Sequence, residues 1–315
     1  MPVGGIITVC LNPAIDRVIE VENFTIGAHQ AGREARLIPA GKAINVSGVL
    51  AAMGIPSVAT GFLGRENRAI FEGLFRGGLI RDEFLLLPGW TRQNITIADS
   101  ATGAATHIRD AGLRVEERSV ESLAEKLRLL SRPGAVVVFS GSAPPGLGPQ
   151  RFVELVAGCA AAGAKVAVDA SGPALAALAG RKLWLVKPNA AELTELTGRE
   201  LADLPRQLAA ARDLTAAVDV VLFTRGGEGA YLFTPDVALH GRVPVEAHRI
   251  RNTVGCGDVL LGAFVGGVHR GLDARRAFRD AVVYASASAC TLGTADFQQA
   301  AVAEFASRVE LAELP

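Results

Sequence analysis

Short apolar runs recur along the chain, and each ends in a polar loop. Residues 6–11, 57–62, 135–139, 165–168, 183–186 and 220–223 are runs of this kind, rich in valine, leucine and isoleucine. Continuous apolarity without alternation marks a strand buried on both faces. Between the later runs lie segments of helical character, such as 120–130 before the run at 135 and 152–162 after the loop 140–146. Strand, polar loop and helix in repetition predict a parallel sheet covered on both faces, a doubly wound α/β fold. A second pattern lies over the first. Residues 95–98 alternate apolar and polar, as a half-exposed strand does. Residues 104–108 follow the turn at Gly103, and 18–24 and 35–38 are short strands with polar breaks. These four predict a small β-sheet lid built from about residues 17–39 and 90–110. Short strands at 231–233 and 243–245 and helices at 42–53, 69–76, 259–268, 274–292 and 301–309 complete the expectation. All of it fits a single α/β domain over residues 1–315.

Composition narrows the function classes. The chain has 315 residues and no formal net charge; half of the residues are hydrophobic and a fifth are charged. That balance supplies an ample core and argues against a nucleic-acid surface. There is no run of about eighteen apolar residues to span a membrane. Residues 1–16 have no basic leading region and break at Asn12-Pro13, which makes a poor signal peptide. Cys10, Cys159, Cys256 and Cys290 lie far apart with no C-x-x-C. They predict buried thiols in a reducing cytoplasm rather than disulfides or a zinc site.

The chemistry concentrates in Asn252-Thr253-Val254-Gly255-Cys256-Gly257-Asp258. A basic segment (His248, Arg249, Arg251) precedes it, and an apolar helix follows. Glycines let the backbone N–H groups face an anion, and the helix dipole points the same way. A carboxylate beside an anion hole is useful where it takes a proton from an attacking hydroxyl, which suggests phosphoryl transfer. The plainer reading is an ordinary capped helix after a glycine turn. Upstream, Lys42 and Asn45 lie three apart on the first turn of a helix. Gly41-Lys42 is not a Walker A loop, because Ala43 stands where that motif needs Ser or Thr. Asp16 follows a strand's carboxyl end, where open α/β sheets bind ligands, although spacing alone equally fits a turn residue.

The run 252–258 resembles the second signature of the PfkB, or ribokinase-like, sugar kinases, usually D-T-x-G-A-G-D. Asn252 and Cys256 replace its first aspartate and its alanine. Further motifs recur in order: T-V-C-L-N-P-A-I-D near the start, G-K-A-I-N-V at 41–46, G-x-x-G at 61–64, T-R-Q-N at 91–94, S-G-S-A-P-P-G at 140–146, K-P-N-A-A-E at 187–192 and T-R-G-G-E-G at 224–229. The resemblance covers nearly the whole chain. It implies a ribokinase-like fold with a lid, and it implies ATP and Mg²⁺.

Residue by residue, the resemblance makes Asp258 the base and gives charge stabilisation to the N–H groups of Gly255, Cys256 and Gly257. It places the acceptor sugar at Asp16, Gly41, Asn45 and Ser140, and the acceptor's own phosphate at Lys42 and Arg92. Lys187, Asn189, Thr224, Gly226 and Gly229 fall to ATP, with Asn189 and Glu192 around the metal through water. Arg109 stands outside the usual pattern and either adds a phosphate contact or alters substrate choice. Ala43 replaces a glycine and is strained if its φ is positive. The hexose-phosphate branch implies phosphorylation of a ketohexose phosphate, fructose 1-phosphate first. Tagatose 6-phosphate, fructose 6-phosphate, an unphosphorylated sugar and a non-catalytic sugar-phosphate sensor remain alternatives. A homodimer through the lid is a family expectation.

Overall fold

The computed structural model describes residues 4–314. Strand β1 (Ile6–Cys10) is buried along its whole length. The chain then leaves the central sheet as an antiparallel pair, β2 (Ala14–Val21) and β3 (Arg33–Ala40), and returns through α1 (Lys42–Ala52) to β4 (Ser57–Gly64), parallel to β1. A short helix α2 (Glu72–Phe75) leads to β5 (Ile80–Asp82) and β6 (Leu85–Leu87), both parallel to β4. Strands β7 (Arg92–Asp99) and β8 (Ala105–Arg109) join β2 in a separate four-stranded sheet of order β3-β2-β7-β8.

The doubly wound run follows in the rhythm of the apolar pattern. It comprises α3 (Glu117–Leu130), β9 (Val136–Ser140), α4 (Pro149–Ala161), β10 (Lys165–Asp169), α5 (Pro173–Ala176), β11 (Leu183–Val186), α6 (Ala190–Thr197), α7 (Leu204–Asp213) and β12 (Val218–Thr224). Strands β13 (Ala230–Phe233) and β14 (Ala238–Arg242) then add antiparallel to β12. Helices α8 (Cys256–His269), α9 (Ala274–Ala289) and α10 (Gln299–Ala306) close the fold, and β15 (Glu310–Glu313) pairs with β14 at the edge.

The period of two divides the core. Val137 and Phe139 of β9 pack toward α3 and α4, with Leu123, Leu127 and Phe152. Val136 and Val138 pack toward α1 and α8, with Val49, Leu50 and Phe264. Strands buried on both faces are what layers of helices on each side require. The parallel strands β11-β10-β9-β1-β4 lie side by side, so their carboxyl ends share one edge. Among the described residues no helix is long and apolar enough to cross a membrane.

Several expected boundaries move. The strand expected at 243–245 lies earlier, at β14, because Pro244 has no N–H to give a ladder. The strand expected at 18–24 starts at Ala14 and ends before Asn23, which turns with φ 54°. The helix expected over 301–309 stops at Ala306, and the helix expected over 274–292 stops at Ala289. Three-residue β5 and β6 are too short to show a period. The half-exposed β15, Glu-Leu-Ala-Glu, is too polar to announce itself.

Candidate active site

Helices α1 and α8 both begin at the shared carboxyl edge of the sheet. Asp258 sits in the first turn of α8 and is 5% exposed. Gly255 caps that helix at φ 84°, a left-handed conformation that an L side chain resists. A Cβ there would lie 2.8 Å from the Ala295 nitrogen, so the space is closed as well. The Gly255 carbonyl accepts from the N–H groups of Asp258 and Val259, at 2.9 and 3.0 Å. The Cys256 N–H reaches back to the Thr253 carbonyl at 3.4 Å, while the N–H groups of Gly255 and Gly257 have no partner among the described residues. The two glycine N–H groups are therefore more available to an anion than that of Cys256. Asn252 Oδ1 accepts from the Val254 N–H at 2.9 Å.

Asn45, on the first turn of α1, donates from Nδ2 to Oδ2 of Asp258 at 2.7 Å. Burial pushes the Asp258 carboxyl up to about 7, and the neighbouring Asp169 charge adds to it; Asn45, Lys187 and Lys42 pull the other way. Ala43 is unstrained. The positive φ falls on Gly41, at 137°, and Ala43 lies inside the helix, fully buried.

The centre of the site is Asp169, at the end of β10 and 1% exposed. Its Oδ1 accepts from Lys42 Nζ and from Lys187 Nζ, each at 3.1 Å. Its Oδ2 accepts from the Ser140 hydroxyl at 3.1 Å. Burial pushes Asp169 up, but the Lys187 and Lys42 ammonium groups outweigh that and hold it below the usual carboxylate range. Burial likewise lowers Lys42, and the carboxylates of Asp169, Glu192 and Asp258 more than reverse it. Ser140 is buried, and its hydroxyl is held by Asp169. Lys42 rests between Asp169 and Glu192, the latter at 3.5 Å, with its side chain still partly exposed.

A second group of polar side chains gathers at the root of the four-stranded sheet. Asp16 of β2 pairs in register with Asn94 of β7, and Asn94 with Arg109 of β8, so the three share a face. Asn94 Nδ2 donates to Asp16 Oδ1 at 2.9 Å, and Asn94 Oδ1 is buried without a partner. Arg92 donates to three backbone carbonyls, those of Pro13, Asp110 and Asn12, at 3.2, 3.0 and 3.1 Å. Three of its five N–H groups are thus spent on the frame. Asn67, from the loop after β4, clamps Thr91 with a reciprocal pair of 2.9 Å bonds and so fixes the approach to Arg92.

On the other flank a cleft opens between the β12–β13 turn and α9. Thr224, Gly226, Gly229, Cys256 and Gly257 line it, with Val282, Ser286 and Ala289 of α9 opposite. Helix α9 flanks the cleft, whereas no residue of α10 is in its lining. Lys187 stands at the inner end: a Cβ added to Gly257 would lie 3.2 Å from its Nζ. Asn189 caps α6 in a reciprocal box, its Oδ1 accepting from the Glu192 N–H at 3.0 Å and its own N–H donating to Glu192 Oε2 at 2.9 Å. Glu192 Oε1 remains directed at Lys42. The residues expected at the site thus gather on one sheet edge, with Asp169 and Asn94 added. Asp169 followed a strand like several other residues, and nothing in the sequence placed two lysines beside it.

A family model described as pfkB family carbohydrate kinase matches residues 9–301. The chain is 38% identical over 260 residues to the 1-phosphofructokinase of Xanthomonas campestris pv. campestris, covering 81% of each. It is 31% identical over 297 residues to the 1-phosphofructokinase of Bacillus subtilis, covering 93% of this chain and 96% of that one. Its structure superposes on phosphofructokinase-2 from Escherichia coli, solved in complex with potassium, with a TM-score of 0.89 at 25% identity, over 97% of this chain and 98% of the other.

Proposed function

This chain belongs to the pfkB family of carbohydrate kinases and has the ribokinase-like α/β fold, and from that premise we propose that it transfers a phosphoryl group from ATP to fructose 1-phosphate. One observation carries the reading: a buried carboxyl at the start of α8, pushed up to about 7, is held by Asn45 and adjoins Gly257, which lines the cleft beside α9. Asn45 holds Oδ2 of Asp258, which leaves Oδ1 to take the proton of a sugar hydroxyl. The hydroxyl oxygen attacks the γ-phosphorus in line, the bond from that phosphorus to the β–γ bridging oxygen breaks, and ADP leaves. The N–H groups of Gly255 and Gly257 and the Lys187 ammonium stabilise the charge as it moves.

The residues present fit a water-clad Mg²⁺. Glu192 keeps one carboxylate oxygen uncommitted to its cap, and Asn189 fixes the helix turn that presents it. When bound, the ion neutralises the nucleotide phosphates. Thr224, Gly226 and Gly229 line the ATP cleft. Asp16 and Asn94 meet the sugar hydroxyls, next to Gly41.

Lys42 and Arg109 take most of the acceptor's phosphate, because Arg92 is largely committed to carbonyls. Arg109 has no ion pair among the described residues and lies near enough to Arg92 to disfavour its charge. The four-stranded sheet serves as a lid that excludes water. Its face opposite Asp16 carries Leu37, Arg17, Ile95 and Ile108 in one register row, with Leu37 and Ile108 39% and 52% exposed; this is the surface we propose for a second copy. The setting is a reducing cytoplasm, in which the four cysteines, free in the structure, stay reduced.

A coupled ADP-release assay with Mg-ATP tests the reading against fructose 1-phosphate, fructose 6-phosphate, tagatose 6-phosphate, fructose and ribose. Turnover on fructose 1-phosphate and a loss of at least about 10²-fold in Asp258→Asn are expected. Turnover on free sugars alone would move the chain to another branch. Sugar-phosphate binding without any turnover would make it a sensor.

A further inference from the structure

The basic segment that precedes the anion-hole turn takes no part in the proposed chemistry. Its residues divide between two cavities. Ile250 and Thr253 face the nucleotide cleft, whereas His248, Arg249 and Arg251 line a second cavity of about 330 Å³ on the other side. The end of α9 divides in the same way, with Ser286 and Ala289 on the nucleotide side and Ala287, Cys290 and Thr291 on the second. Gln298 and Ala301 complete the wall. The two cavities thus share one partition.

The residues lining the second cavity include two arginines and no acid. Arg249 forms a bidentate pair with Glu304 at 2.7 and 2.9 Å. Arg308 reaches Glu304 and Glu246, each at 2.9 Å. Those two cations and two anions cancel. Arg251 is exposed and its side chain has no ion pair or hydrogen bond among the described residues, nor has His248. Asp296 is the one acid close by in the 291–298 turn, where its carbonyl accepts from Thr291. A free guanidinium with five donors, an imidazole and an amide facing one hollow suit a phosphate group. The volume falls at the lower end of the range for small-molecule sites, about 300–1,000 Å³, and leaves room for an organic portion.

We propose that this cavity is a second, regulatory site for a small phosphate-bearing anion, held by Arg251 and His248. The partition transmits the occupancy. The N–H groups of Arg251 and Asn252 both donate to the Ala289 carbonyl, at 2.8 and 3.2 Å, and Asn252 Nδ2 donates to the Leu292 carbonyl. An anion drawing on Arg251 acts on the strand of chain that carries Ile250 and Thr253 into the nucleotide cleft and ends in the Gly255 turn.

Two cysteines report the two cavities separately, since Cys290 lines the second and Cys256 the nucleotide cleft. The full-length enzyme, saturated with a non-hydrolysable ATP analogue and sugar phosphate, is alkylated with iodoacetamide, and each cysteine peptide is followed by mass spectrometry. Inorganic phosphate and glycerol phosphate at millimolar concentration are the probes. Threefold or greater slowing at Cys290, with Cys256 unchanged, is expected in the wild type. It should disappear in Arg251→Ala and persist in part in Arg251→Lys, which keeps the charge. Stronger protection by glycerol phosphate would identify a metabolite as the ligand, and equal protection would identify phosphate itself. Absence of slowing in the wild type, or equal slowing in Arg251→Ala, overturns the proposal. Turnover is measured separately, so either result leaves the kinase reading to its own test.

Discussion

The bond from Asn45 to Asp258 makes the sharpest quantitative test of the base. Asn45→Ala removes a 2.7 Å donor that favours the charged carboxylate, while burial and Asp169, which oppose that form, stay in place. The Asp258 carboxyl therefore moves further up from about 7. A hydrogen bond to a charged group is worth about 1.5–3 kcal/mol, and one pH unit corresponds to about 1.4 kcal/mol, so the shift is roughly one to two units. The readout is kcat/KM against pH, which reports the free enzyme. In wild type it should rise with pH through an inflection near 7 as the base loses its proton. In Asn45→Ala the rise should come one to two units later, with roughly a 10- to 100-fold deficit on the acid limb. Weaker sugar binding in this variant would lower the plateau and leave the inflection alone, so the two effects separate. An inflection that stays put, or moves to lower pH, would refute the assignment of Asp258 as the base.

Other consequences can be checked independently. Because the folded-state value for Asp258 lies above its ordinary 3.8, its contribution to stability is present below about pH 4 and is lost as pH rises through 7. Asp258→Asn should therefore gain on wild type by a few kcal/mol between pH 4 and 8, read from urea midpoints, even as activity disappears. Gly255→Ala combines a positive φ with a 2.8 Å approach to the Ala295 nitrogen and should cost about 1–3 kcal/mol, with weakened ATP binding by calorimetry. Arg109→Ala should raise KM for the sugar phosphate while leaving melting temperature almost unchanged. Arg92→Ala should weaken sugar-phosphate binding and lower the melting temperature together, since it removes three bonds to backbone carbonyls. Asp169→Asn should depress kcat at every pH and loosen both lysines, which a matched set of Lys42 and Lys187 variants would show as non-additive losses.

The parallel sheet was legible because its strands are buried on both faces and mostly apolar, with only isolated polar residues such as Thr8, Thr60 and Asp219. The site was legible where chemistry needs a fixed spacing, as with Gly255, Gly257 and Asp258, or Asn189 and Glu192. Asp169 was not, because its significance lies in two lysines that arrive from α1 and from the end of β11, one far away along the chain and the other a single strand later. Its sequence surroundings are those of any strand end. Ser140 was placed on the sugar and Lys42 on the acceptor's phosphate by motif alone; the bond of each to Asp169 was out of reach of the sequence. The Ala43 departure looked costly only while its φ was unknown; the left-handed residue is Gly41. Edge strands such as β15 escaped for the opposite reason to the core, since a half-wet strand of four residues needs no apolar pattern at all.

The four-stranded sheet is rooted at the catalytic edge. Ala14, Ala40 and Arg92 meet in register there, and the strands run outward to a tip where Asp99 accepts the N–H groups of Asn23, Phe24 and Ala101. Eight residues at about 3.3 Å each give an arm on the order of 25 Å. The arrangement is mechanically a lever. A rotation of about 10° at the root would carry the tip through roughly 4 Å. Fluorophores at the tip and on α9 would report such a rotation directly if the sheet closes during turnover.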